Sequence, residues 1–514
     1  MSADGLRREA GVERTSFGAR GASALALLCL VACGGGGGAG QPTLTLSPQT
    51  ATAVLGGPAV TFTASLSGSS SAISWTLSGP GSIVPSGGST AAYTPPPFGG
   101  TAVTATVTAS AGGGLSASAT VHVGVPAAID VSGRVIGSDL VPIAGINVTI
   151  GARSALTDVD GGFTISSVSP PYDLTAVATS PKKVGVLYQG LTRRDPTILM
   201  PGVPASTTST GTLTGNVTGG SPLGAADEVT RLIFGSPEIP DGLVNSAQTN
   251  VVSNPYALNP SWVGPSATTG TLHVLQWRLG ANNLPAAFTG YASTPGVNIS
   301  PGGTASVDLI MSAPPASTIG GTIHLAPSLS YFSQSLSIAF PGTPPTFLGA
   351  DAPSGSFSYP FPDVSGATAT LIATALYAGS NISATQLAGI SPGTTNVVVD
   401  LPTPCTAVAP ADHATNVGTT TDFTWTPMTG TVYELYLLGF GTSPSYFVMT
   451  AATSARIPDL ASQGLGLSGS FSWNVNAFGP VASVDDLAGA AAMHLFGAGS
   501  YFAGTTSPRD FNNP

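Results

Sequence analysis

The chain has 514 residues, 14 of them Lys or Arg and 24 Asp or Glu, for a net charge of −10. Phosphate-binding surfaces need clustered cations, so this balance excludes nucleic acid as a partner; the length exceeds what one core organises and points to about three to five domains. Gly (67) and Pro (44) are abundant enough to suggest disorder, but hydrophobic residues reach 42 % and come as short alternating runs that offer surface to bury.

Residues 1–32 have the plan of a secretory signal peptide: Arg7, Arg8, Arg14 and Arg20, then an apolar run from Gly21 to Ala32. That run is too short for a permanent membrane span. Leu30-Val31-Ala32-Cys33 resembles a bacterial lipobox. The resemblance implies that Cys33 becomes the first residue, carries a diacylglycerol and is acylated at its new amino group, which makes the membrane a partner through an N-terminal lipid. One acyl chain holds only marginally, at about 0.8 kcal/mol per buried CH₂, and two or more anchor stably. Residues 33–40 then read as the lipidated cysteine and a flexible glycine linker. Gly34 is not the aspartate that usually retains such lipoproteins in the inner membrane. The resemblance therefore implies the outer membrane, on its periplasmic face or at the cell surface.

From 41 to 124, "PAVTFTASL", "AISWTLSG", "TAVTATVTAS" and "LSASATVHV" alternate with turn residues, as antiparallel sandwiches do. This stretch resembles a bacterial Ig-like domain, with Trp75 on an inner strand and Tyr93 before a proline turn. Residues 126–201 include "VSGRVIGSDLVPIAGINVTIGARSALTDVDGGFTISSV". They resemble the carboxypeptidase regulatory-like (transthyretin-like) domain through Gly133, the Pro142–Gly145 turn, Asn147 to Thr149 and the hairpin from Thr157 to Phe163.

Residues 210–313 and 317–402 read as diverged β-sandwich repeats of that unit. "TGNV" and "GGTI" match "SGRV", "SGSFSYPFPDV" matches "DGGFTISSV", and "NISPGGTASVDLIM" matches "GISPGTTNVVVDL". Residues 403–514, with "TDFTWTP", "YELYLLGF" and "GSFSWNVNAFG", resemble a fibronectin type III domain carrying Trp425, Phe471 and Trp473. Ser483 followed by Asp486 marks a helix start inside it. The fold class expected is all-β: an elongated row of antiparallel sandwiches after a lipoprotein signal peptide.

Catalytic and metal motifs are scarce. None of the five histidines opens a His-x-x-Glu or His-Glu-x-x-His pattern. Ser391 in "GISPG" matches the nucleophile-elbow spacing, but a β-run follows it where the elbow needs a helix. Asp158 and Asp160 open a calcium-like loop whose twelfth position is Ser169 rather than glutamate. With Cys29 in the leader and Cys33 acylated, Cys405 is unpaired and reads as a small buried residue, with a reactive thiol as the alternative. No cofactor and no metal are expected. Trp262, Trp277, Tyr331 and Tyr359, with Phe332 and Phe361, lie in or near turns of the middle repeats. They are either core residues or ring faces for a sugar or peptide.

The reading is a lipid-anchored envelope protein, not an enzyme, whose row of sandwiches has a structural, adhesive or ligand-presenting role toward surface glycans or envelope proteins. The alternative is a carbohydrate- or peptide-binding surface lipoprotein. A hydrolase is the third reading, disfavoured because a catalytic pair must be found among few charged groups.

Overall fold

The computed structural model describes residues 41–138, 140–203, 208–236, 248–280, 283–343, 345–352, 355–489 and 499–513, with backbone alone at Tyr331 and Phe332. The signal segment, Cys33 and the glycine linker lie outside the described residues. The described chain is all-β, in tandem β-sandwich units, as the alternating runs predict.

Unit one (43–124) packs the sheet Thr43–Ser47, Val60–Ser67, Thr90–Thr94, Ser82–Pro85 on the sheet Thr50–Val54, Leu115–Gly124, Val103–Ala111, Ser74–Ser78. Thr61 and Thr63 face solvent while Phe62 and Ala64 turn inward to Tyr93, Val107 and Val121, the period-two pattern of a half-buried strand. Tyr93 is fully buried and donates from its hydroxyl to the Pro80 carbonyl at 2.8 Å. Trp75, expected on an inner strand, lies on the edge strand Ser74–Ser78 and is only half-buried.

Units two (129–200), three (208–311) and four (316–401) share one wiring. The first strands of their three-stranded sheets are Ile129–Gly137, Thr212–Gly215 and Ala316–Leu325. Each pairs antiparallel with a later strand (Gly162–Val168, Tyr256–Leu258, Ser356–Pro362) and parallel with the last (Thr197–Met200, Thr304–Ser306, Val397–Leu401). Four further strands of each unit form the second sheet in the same order, and unit three adds two short pairs, Thr208–Thr210 with Ser261–Val263 and Val217–Gly219 with Leu309–Met311.

The "SGRV", "TGNV" and "GGTI" motifs put Gly133, Gly215 and Gly321 on these first strands. A Cβ at any of them would collide with the carbonyl oxygen of Pro196, Val307 or Val397, respectively, at the parallel strand. Glycine is what lets the two backbones approach this closely.

The C-terminal unit (407–513) does not extend the row as the sequence reading expects. Four of its strands are β3 (Val432–Gly439), β4 (Ser445–Thr450), β5 (Gly469–Gly479) and β6 (Tyr501–Thr505), and they sit between units two and four. β4 pairs in parallel with β1 (Val184–Leu191) of unit two, and β6 pairs antiparallel with β2 (Asn381–Ile390) of unit four. Together with β7 (Arg509–Asn513) they complete one thirteen-stranded sheet through three units.

The covering layers lie on opposite sides of that sheet. Val186 and Tyr188 of β1 enter the unit-two core, whereas the intervening Leu187 enters the C-terminal core with Leu435, Tyr446 and Trp473. A strand buried on both faces reads as the near-continuous apolar run "VGVLY". Units three and four are joined likewise: Leu232, Phe234 and Val274 fill unit three, while Ile233, Leu275 and Trp277 on the other face join the core of unit four.

The helix expected at Ser483 is α1 (Val484–Leu487), a single turn. The Ser483 hydroxyl caps it by accepting from Asp486 N at 3.1 Å.

Candidate functional site

The structure places three of the four aromatics proposed as ligand contacts inside cores. Trp262 is buried in unit three and donates from Nε1 to the Ser266 carbonyl at 2.7 Å. Trp277 is buried at the junction of units three and four, with the Arg231 guanidinium 5.8 Å from its ring centre. Tyr359 is buried in unit four and donates to Asp351 Oδ1 at 2.6 Å. These rings are packing residues, because each lies on a strand face covered by another sheet or another unit. Tyr331 lies on the strand Leu329–Ala339, and its side chain is outside the described residues.

The weighed nucleophile and metal positions are turns or core. Ser391 is exposed in the turn before Val397–Leu401, and its backbone carbonyl accepts from Thr394 Oγ1 at 2.8 Å. Asp158 Oδ1 accepts from the backbone N–H of Asp160 at 2.9 Å and of Gly162 at 2.8 Å, which closes the hairpin. Cys405 is buried against the Gly504 carbonyl, and burial pushes its thiol up to about 12, so it behaves as a small apolar filler.

Two arrangements that the sequence reading missed stand out. The first joins units one and two to the C-terminal unit. The carboxylate of Asp485, 5 % exposed in α1, accepts from the backbone N–H groups of Thr192 (2.7 Å) and Arg193 (2.9 Å) and from Thr192 Oγ1 (2.5 Å). Arg193 Nη1 donates back to the Asp485 carbonyl at 2.6 Å, and Thr192 Oγ1 accepts from Gly99 N of unit one at 2.8 Å. A buried carboxylate is tolerated only when its lone pairs are filled, and here three donors fill them.

The second is the outer face of the C-terminal unit. On β3, Tyr433, Leu435 and Leu437 point into the core, which leaves Glu434, Tyr436 and Leu438 on the other face, where Val432, Phe447 and Met449 join the unit-two core and Tyr436 packs at its margin. Across from these on β5 stand Asn476, Asn474 and Ser472. Asn476 donates from Nδ2 to Glu434 Oε2 at 2.8 Å and accepts at Oδ1 from Asn474 Nδ2 (3.2 Å) and Thr505 Oγ1 (3.1 Å). Burial pushes the Glu434 carboxyl above the usual carboxylate range, opposed by the Asn476 bond. Tyr436 stacks on Phe447 with ring centres 4.7 Å apart.

The face ends in a depression of about 320 Å³ lined by His413, Phe440, Ser470, Asp510 and Asn512, among others. Phe440 is 50 % exposed there, and Ser470 Oγ donates to Asn512 Oδ1 at 3.1 Å. His413 adopts a φ of 57°, and its N–H donates to the Asp510 carbonyl at 2.6 Å. Asp412 accepts from Asp510 N at 2.8 Å, a bond that holds its carboxyl below the usual range. The legible signal was the run "SFSWNVN", with Ser470, Ser472, Asn474 and Asn476 at alternate positions. On a strand that spacing lays one polar line along a single face.

No family model matches the chain, and no curated protein matches it. Among solved structures it is similar to the TIE protein of Bacillus anthracis, at 10 % identity over 71 % of this chain and 75 % of that one, with a TM-score of 0.16. It is similar to BcpA, the major pilin subunit of Bacillus cereus, at 10 % identity over 53 % of this chain and 99 % of that one, TM-score 0.13. It is also similar to the shaft pilin SpaA of Lactobacillus rhamnosus GG, at 11 % identity over 38 % and 97 %, TM-score 0.11. Scores this low carry no argument, and the fold rests on the strands and registers given above.

Proposed function

We propose that the protein is a lipid-anchored cell-envelope scaffold: an acylated Cys33 and a glycine leash hold a braced body of β-sandwiches at the outer membrane, in a structural, adhesive or ligand-presenting role. The observation that carries the scaffold reading is the insertion of the C-terminal unit between units two and four, with strand pairing on both sides. A row of sandwiches on short links bends at every link, whereas a shared sheet fixes the relative orientation of the units it crosses. The anchor rests on the leader, the lipobox resemblance and the glycine tract of the sequence. On this reading units two to four are one repeat family resembling the carboxypeptidase regulatory-like domain, which their common wiring and glycine positions support.

Metabolic labelling with a clickable palmitate analogue tests the anchor. The full-length chain takes up label and fractionates with envelopes, and Cys33→Ser loses both. An unlabelled chain, or a Cys33→Ser chain retained equally well, contradicts it.

A further inference from the structure

We propose that the outer face of the C-terminal unit is a binding strip for a neutral polysaccharide, entered at the depression beside Phe440. This deepens the ligand-presenting role proposed above and rests on that reading for where the polymer is met; the binding itself is measured on purified protein, apart from any anchor.

The argument begins with the two parallel lines of side chains. β3 contributes Leu438, beside Tyr436 at the margin of the unit-two core, and leads to Phe440 just beyond its end, while β5 contributes hydroxyls and amides at Ser470, Ser472, Asn474 and Asn476. A pyranose has an apolar C–H face and a rim of hydroxyls, so a ligand lying along the strands meets an apolar line and a hydrogen-bonding line together. From Tyr436, at the margin of the unit-two core, to Phe440 the strip runs roughly 16 Å at the rise of an extended strand, room for a short run of sugar rings.

The hydrogen-bonded chain Asn474–Asn476–Glu434 and the Tyr436–Phe447 stack fix their side chains before any ligand arrives, which lowers the ordering cost of binding. Asn474 and Glu434 Oε2 each keep hydrogen-bonding capacity beyond the bonds described.

Charge and backbone narrow the occupant. The outward positions of β3, β5 and β7 include the exposed carboxylate of Asp510 and no Lys or Arg, and Asp412 is exposed beside the depression. An anionic polymer is therefore repelled rather than held. β3 is paired on both sides, with β4 and β5, so an incoming peptide finds no free edge on it, and recognition has to come from side chains.

The test is retention of the purified full-length chain, in detergent, on gel-coupled neutral polymers (β-1,3-glucan, β-1,4-glucan, mannan, galactan and dextran) beside polygalacturonate as the acidic counterpart. Retention on at least one neutral polymer is expected, with none on polygalacturonate. Phe440→Ala and Asn474→Ala, both at partly exposed positions, weaken it at least tenfold while the thermal midpoint stays within about 2 °C of the parent. The proposal is overturned if no neutral polymer retains the chain, if polygalacturonate retains it equally, or if neither substitution changes retention. A chain that is fully labelled with palmitate but bound by none of the neutral polymers loses this inference and keeps the anchored scaffold.

Discussion

Gly321 stands directly opposite Phe357 across an antiparallel pair, and the same opposition recurs between Gly133 and Phe163 and between Gly215 and Tyr256. In each repeat the glycine admits the parallel last strand, and a large ring faces the position where side-chain volume is missing. The glycine and its aromatic therefore work as a pair. The sequence shows both, in "GGTI" with "SGSF" and "SGRV" with "DGGF".

Gly321→Ala places a methyl against the Val397 carbonyl and Cβ. A loss of about 1–3 kcal/mol is expected, the usual cost of overpacking a tight contact. Gly418→Ala meets nothing within 4 Å and is not at positive φ, so its cost stays within about 0.5 kcal/mol. Denaturant unfolding of both variants checks this.

Asp485 serves the junction rather than its own short helix. Asp485→Ala leaves the N–H groups of Thr192 and Arg193 without their acceptor in a buried place. The expected cost is about 2–4 kcal/mol, seen as faster amide exchange in β1 and β4. Exchange within unit three, which the junction does not touch, stays at the parent rate.

His273 confers a pH dependence. It is buried at the junction of units three and four, stacked on Phe340 with ring centres 4.2 Å apart, and bonded through Nδ1 to the Tyr291 hydroxyl at 3.1 Å. Burial lowers its pKa from 6.5 to about 4. The unfolded chain therefore takes up the proton first, and this site's contribution falls as pH drops from about 6.5 toward 4, by about 3 kcal/mol across the window. Stability measured across that window falls less steeply in His273→Phe, which keeps the stack; an identical slope contradicts the assignment.

The sandwich class was legible because alternation at strands such as Val60–Ser67 is a local signal of one buried face. Which outer faces are covered again is not local. Trp277 looks like a candidate for an exposed ring until unit is packed on unit, as Tyr359 does until sheet is packed on sheet, and β1 finds its edge partner β4 about 260 residues further along the chain, beyond any periodicity. "VGVLY" did carry the hint of burial on both sides, without saying what supplies the second cover. The polar line on β5 was equally readable, but alternate Ser and Asn on a strand mark a face only once the other side is known to be core.

Hydrogen exchange at the seam between β1 and β4 tests the braced body most directly. In the full-length chain, the amides of β1 and β4 that point across the seam are expected to be protected to the level of the central pair β3 and β5. Exchange on the timescale of an open sheet edge at those positions would mean that the C-terminal unit does not join unit two, and the braced scaffold would be contradicted.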